Sequence, residues 1–330
     1  MTDAELDTIG IGNAIVDVIS HADDAFLVRQ GLNKGTMTLI DSAQAEALYQ
    51  AMGPALEMSG GSAANTIAAL ASLGGRGAFI GKVRDDQLGT IFRHDISSLG
   101  IHFDTTAAVE GPTTGRCLVL VTPDAERTLQ TFLGAAGHVG PDDVDEALIA
   151  AAQITYLEGY LWDQPKAKQA FILAAELAHT HRRQVALSLS DPFCVDRHRR
   201  EFLTLIEEHV DVVFANEDEI VSLYQEHSFD AAMQNCRASG KLIALTRSEK
   251  GSVIVKGDEI HVVDAESVAS VVDTTGAGDA YAAGFLYGYT RGLRLEVCAR
   301  IGSIASAEVI SHVGARAETS LADLVRQKLG

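Results

Sequence analysis

A chain of 330 residues with 47% apolar and 22% charged side chains is long enough for one large domain plus a smaller one and can bury a sizeable core. Its formal net charge of −19 disfavours a nucleic-acid partner, because phosphate backbones are gripped by clustered Lys and Arg. The start MTDAELDTIG lacks the basic-then-apolar order of a signal peptide, no apolar run approaches the ~20 residues of a membrane span, and four scattered cysteines without a CxxC pair fit neither zinc nor a disulfide framework; a soluble cytoplasmic protein is expected.

Short β-like runs alternate with helical patterns over most of the chain, which predicts an α/β fold with a mostly parallel sheet covered by helices. In chain order, a strand is expected at 6–11, short β-rich pieces around a brief helix over 14–40, and helices at 41–52 and 63–73. A strand at 77–83 and a helix at 86–99 follow. Residues 103–133 read as strands, with 115–121 and 127–133 joined by a turn at Thr122-Pro123-Asp124-Ala125-Glu126. Beyond them come strands at 153–157, 184–189, 211–214 and 242–246, with helices at 165–180 and 217–224. Gly257-Asp258 marks a hairpin between 252–255 and 259–263, and two long helical patterns close the chain, roughly 278–291 and 295–310. Strands without intervening helices suggest a small sheet projecting from the main domain, which beside an active site would be a lid. The expected division is a large domain from 1–13, 41–102 and 134–330, and a small β lid from 14–40 and 103–133.

The chemistry is concentrated in Val271–Gly284, VVDTTGAGDAYAAG. A β-like run ends at Asp273, glycines follow, and a helix begins near Asp279. Glycine lets the backbone approach a ligand closely, and the unpaired N–H groups of a helix start attract anions. The Gly276-Ala277-Gly278 amides are therefore a candidate anion hole. A carboxylate there repels a bound phosphate, unless a hydroxyl lies between the two; Asp279 is then the base that accepts its proton during phosphoryl transfer. An ordinary helix start with a favoured acidic residue is the competing reading. GxxxxGK[ST] is absent, and Gly10-Ile11-Gly12-Asn13-Ala14-Ile15 has isoleucine where a dinucleotide fingerprint needs its third glycine.

DTTGAGD followed by a small-residue helix resembles the C-terminal signature of the ribokinase-like (PfkB) sugar and nucleoside kinases. Gly60-Gly61-Ser62-Ala63-Ala64-Asn65 and Asn216-Glu217-Asp218-Glu219 resemble two further family motifs, in the family order. The resemblance implies a three-layer α/β/α domain with a β lid and an ATP-dependent kinase of a small hydroxyl-bearing molecule. It implies that Asn13, Asp17, Gly60, Gly61, Ser62 and Asn65 hold ribose or sugar hydroxyls. Asn216 and Glu219 would organise Mg²⁺ and phosphate oxygens, although the same run fits an acidic first helical turn. Thr246 and Gly251 resemble the loop along the nucleotide, as Thr275 does the nucleotide side of the anion loop. Asp273, Thr275, Val309 and Gly314 stand where many relatives bind a monovalent cation such as K⁺.

Gly12–Asp17, Thr131–Ala136, Tyr156–Tyr160 and Leu189–Phe193 look more like adenosine kinases than ribokinase. On that likeness, Ile15, Leu133, Ala135, Leu161 and Phe193 would line a slot for a base, each being equally at home in a core, and Arg127 would reach the phosphates or form a surface ion pair. The expected acceptor is the 5′-hydroxyl of adenosine or a related nucleoside. A ribose or fructose kinase and a non-catalytic metabolite-binding relative stay open, as does the choice between monomer and homodimer.

Overall fold

The computed structural model describes residues 4–124 and 126–330; Ala125 of the expected turn and the first three residues lie outside them. Among the described residues the strands, in chain order, are β1 (Leu6–Ile11), β2 (Ile15–His21), β3 (Met37–Leu39), β4 (Ala55–Gly60), β5 (Gly77–Ile80), β6 (Gly115–Val121), β7 (Arg127–Phe132), β8 (Ala152–Glu158), β9 (Gln184–Ser188), β10 (Val212–Asn216), β11 (Leu242–Thr246), β12 (Ser252–Lys256) and β13 (Glu259–Val263). Eight form one sheet in the order β13-β12-β11-β10-β9-β8-β1-β5. Its strands from β11 to β5 run parallel, and the β12–β13 hairpin closes one edge antiparallel.

The central strands are apolar on both sides because helices cover both faces. Val212 and Phe214 enter one core with the helices Ser62–Ser72, Ala277–Tyr289 and Leu295–Val309, while Val213 and Ala215 enter the other with Pro165–Thr180 and Pro192–His209. This is the expected three-layer α/β/α arrangement. The carboxyl ends of β1, β8, β10 and β11 gather along one edge, the usual ligand edge of an open parallel sheet.

The second sheet has the order β3-β7-β6-β2-β4. Its register lines up Leu39, Thr131, Cys117, Asp17 and Met58 in one cross-strand row and Met37, Leu129, Val119, Ile19 and Leu56 in the next. Val16, Val18, Leu118 and Leu120 point the other way, into a core shared with Leu27 and Leu48 of two short helices.

Several segments depart from expectation. β4 belongs to the second sheet although it lies inside 41–102, the stretch assigned to the large domain; its exposed start and flanking Gly53-Pro54 hide a strand that forms only by pairing with β2. The helix Pro192–His209 was not anticipated, because its buried stripe of Cys194, Val195, Phe202, Leu205 and Ile206 is interrupted by dense charge. The expected strand 77–83 stops at Ile80.

The helix Ala277–Tyr289 crosses Leu295–Val309 with glycine against glycine. A Cβ on Gly284 would sit 2.6 Å from the Gly302 Cα, and one on Gly302 would sit 2.7 Å from the Tyr281 carbonyl oxygen. Both obstacles are backbone, so the helices must part to admit a methyl group. Gly284→Ala is expected to destabilise the fold by about 1–3 kcal/mol from overpacking, against the ~0.5–1 kcal/mol that Ala gains inside a helix. A urea titration at constant m reads the difference, and an unchanged midpoint would show that the crossing widens freely.

Candidate active site

Two strand-to-helix turns face each other across a groove of about 1390 Å³ between the sheets. In the first, Gly276 adopts φ +78°, where a Cβ would sit 2.8 Å from the Ala315 Cα, and starts the helix Ala277–Tyr289 without a side-chain cap among the described residues. The Ala277 N–H turns back to the Thr274 carbonyl at 3.2 Å, while Thr275, Gly276, Ala277, Gly278 and Asp279 form part of the groove lining. In the second, Gly61 at φ +103° starts the helix Ser62–Ser72, and a Cβ there would overlap the Asn13 carbonyl oxygen. Ser62 Oγ donates to Asp279 Oδ1 at 2.6 Å and joins the two helix starts.

Asp279 is half-buried, its open side facing the groove. Burial pushes its carboxyl up to about 7, and the neighbouring Glu158 charge adds to the rise. Hydrogen bonds from Ser62 and Asn65 and the Arg316 charge oppose it. Asp17 is raised to about 6 by burial against the Arg316 and Arg127 charges. Gly60 leaves the space the Asp17 carboxylate fills.

The two asparagines are oriented by charged partners of opposite sign. Asn13 donates Nδ2 to Glu158 Oε1 at 2.6 Å, which aims its Oδ1 elsewhere. That Oδ1 is buried with no partner among the described residues, in a residue that lines the groove. Asn65 accepts from Arg316 Nε at 2.7 Å through its Oδ1, leaving its NH₂ to donate. Glu158 also accepts from the Ala63 N–H at 2.8 Å, and burial raises its carboxyl despite these bonds. Neither Glu158 nor Arg316 was assigned a role from the sequence. A lone acid closing the apolar run Ile154-Thr155-Tyr156-Leu157 was a signal for the first; nothing local marked the second.

The remaining candidates divide. Asn216 and Glu219 line the groove and also form a reciprocal cap, with Asn216 Nδ2 donating to Glu219 Oε1 at 2.6 Å and the Glu219 N–H to Asn216 Oδ1 at 2.8 Å. Burial, with Asp191 and Asp218 nearby, raises Glu219 to about 7. Among the described residues no group of three His, Cys, Asp or Glu side chains could hold a metal ion. Thr246 and Gly251 line the far end. Ile15, Leu133 and Phe193 line the groove, with Phe193 74% exposed at its mouth.

Ala135 and Leu161 do not line it: both sit in short 3₁₀ turns and are buried in the core. Leu39, Leu129 and Val119, not picked from the sequence, stand on the groove wall instead. Arg127 forms an ion pair with Asp273, and the pair is buried rather than on the surface. Asp273 accepts further from the Gly314 N–H at 2.8 Å and the Thr275 N–H at 3.0 Å. Although burial raises this carboxyl, those bonds and the Arg127 charge hold it below the usual range. Asp273, Val309 and Gly314 lie behind the anion loop, outside the groove lining.

The chain matches the pfkB family of carbohydrate kinases over residues 55–321. The structure of adenosine kinase from Sinorhizobium meliloti superposes with a TM-score of 0.92 at 52% identity, covering 98% of this chain and 100% of that one. A probable sugar kinase protein from Rhizobium etli gives 0.92 at 49%, covering 98% and 99%. Adenosine kinase of Saccharomyces cerevisiae is 27% identical over 92% of this chain and 94% of its own length. With this match and the three-layer fold, the chain belongs to the pfkB family and is an ATP-dependent kinase of a small sugar or nucleoside.

Proposed function

We propose that the chain transfers the γ-phosphoryl group of ATP to the 5′-hydroxyl of adenosine or a closely related nucleoside. The observation that carries this reading is the composition of one wall. Asp17 and the unpartnered Asn13 Oδ1 offer acceptors for sugar hydroxyls. Immediately beside them the second sheet presents Leu129 and Val119, with Ile15, Leu39 and Leu133 completing an apolar slot. A nucleoside has the same polar–apolar division, whereas a free sugar needs polar partners all round. Similarity to the Sinorhizobium adenosine kinase supports the assignment. The Rhizobium relative, described as a probable sugar kinase, keeps a carbohydrate acceptor as the second reading.

In this proposal the acceptor hydroxyl lies between Asp279 and the Gly276–Gly278 loop. Its oxygen bonds to the γ-phosphorus, the bond to the bridging oxygen breaks, ADP leaves, and the hydroxyl proton passes to Asp279. The loop N–H groups offset charge on the transferring group. Asn216 and Glu219 would organise Mg²⁺, which when bound supplies positive charge against the phosphate oxygens. Thr246 and Gly251 would lie along the nucleotide. A monovalent cation beside the loop would depend on backbone carbonyls near Asp273, Thr275, Val309 and Gly314, since the Asp273 carboxylate is already engaged. The second sheet, with 14–40, 103–133 and β4, acts as a lid. Its outer face is covered by its own helices and part of its inner face lines the groove.

Asp279→Asn is expected to lower turnover by ~10²–10⁴-fold while nucleoside binding is kept. The assay is ATP consumption with Mg²⁺ against adenosine, inosine, guanosine, ribose and fructose. Turnover confined to a free sugar would discard the nucleoside reading, and near-normal turnover in the variant would remove Asp279 from its role.

The same base sets a pH dependence. The free enzyme's ionisations appear in kcat/KM; with Asp279 raised to about 7, it protonates as pH falls through that value and ceases to be a base. The profile should therefore fall on the acid side of about pH 7 and stay level above it. An acid limb near pH 4, the ordinary carboxylate range, would show that Asp279 is not perturbed as described.

A further inference from the structure

Arg316 follows the last long helix of the large domain and does not line the groove. Its guanidinium is spent on protein: Nε donates to Asn65 Oδ1 at 2.7 Å, and Nη2 to the Ser59 carbonyl at 2.7 Å and Ser59 Oγ at 3.0 Å. Ser59 in turn donates its N–H to Asp95 Oδ2 at 2.8 Å. The planar fork is thus held on two sides, and a guanidinium cannot reverse its role as donor.

An amide whose oxygen is committed can offer only its NH₂ on the other side. Asn65 and Asp279 both line the groove, and the Asn65 amide opposes the rise of the Asp279 carboxyl, as a donor does. Without Arg316, Asn65 is free to turn over and set its carbonyl against the carboxylate. We propose that Arg316 is a positioning residue for phosphoryl transfer, dictating that Asn65 presents its NH₂, not its carbonyl, to Asp279 and the acceptor. This deepens the assignment of Asp279 as base and rests on it.

The electrostatic surroundings agree. Asp279 is faced by Ser62 and Asn65 from one helix, by Tyr156 and Glu158 from β8, by Tyr160 after it, and by Arg316. Arg316 is the positive member of that set. Asp17 is faced by Arg316, Arg127 and Cys117. Burial lowers Arg316, and the charges of Asp95, Asp17 and Asp279 oppose the loss. Its removal leaves Asp279 beside Glu158 with no counter-charge of its own.

The test is steady-state kinetics on the acceptor that wild type phosphorylates in the panel above, so loss of the nucleoside reading leaves it standing. Arg316→Gln, measured well above the acid limb, is expected to lower kcat/KM about 10²-fold, the scale of a misplaced catalytic constellation. In an Asn65→Ala background the same change should cost less than about threefold, because the shared partner is gone. The acid limb of Arg316→Gln should move to higher pH. Arg316→Lys, which keeps the charge, should hold the limb in place yet lose part of kcat/KM. An equal cost in both backgrounds, or wild-type kcat/KM in Arg316→Lys, overturns the proposal; so does a loss that tracks Tm with an unmoved limb.

Discussion

A buried carboxylate must be met by donors or it neutralises, and at Glu158 that requirement organises the acceptor side of the groove. Its oxygens take the Asn13 side chain and backbone and the Ala63 N–H, so the end of β1, the end of β8 and the start of the helix Ser62–Ser72 converge on one group. Gly12 has no side chain because a Cβ there would run into the Glu158 carboxylate and Ala63. The orientation of Asn13, the placing of Ser62 and thus the hydrogen bond from Ser62 to Asp279 all descend from it.

The nucleotide side is held by different means. Close backbone contact, through Gly284 against Gly302 and Gly276 against Ala315, sets where the helix start lies. In a chain of net charge −19, the proposed reaction relies there on N–H groups rather than on a basic cluster. The cost of collecting acids is visible in Asp17, Asp279 and Glu219, all raised by burial. Two arginines set into the groove's surroundings, Arg127 and Arg316, moderate it.

What could be read from the sequence was what is local. The Gly276–Asp279 turn, the Gly60–Asn65 turn and the Asn216–Glu219 cap each declare themselves within a few residues, and the sheet announced itself by apolar runs. Residues acting across the fold did not. Glu158 reaches Asn13 over 145 positions and Arg316 reaches Asn65 over 251, and no short pattern encodes either pairing. Ala135 and Leu161 were misplaced for a related reason: apolarity predicts burial, but not whether the burial is against core or ligand. β4 is a strand through its partner alone.

The buried pair of Arg127 and Asp273 has a consequence for how the second sheet is tied to the large domain. Both side chains are under a tenth exposed, so dissolved salt, which screens solvent-facing charges, does little to loosen the pair. Arg127 Nε, however, is buried without a partner among the described residues. It offers a vacant donor on a guanidinium whose other arm is engaged. This tie between the second sheet and the large domain is therefore set by groups inside the fold and is little affected by the ionic strength outside it.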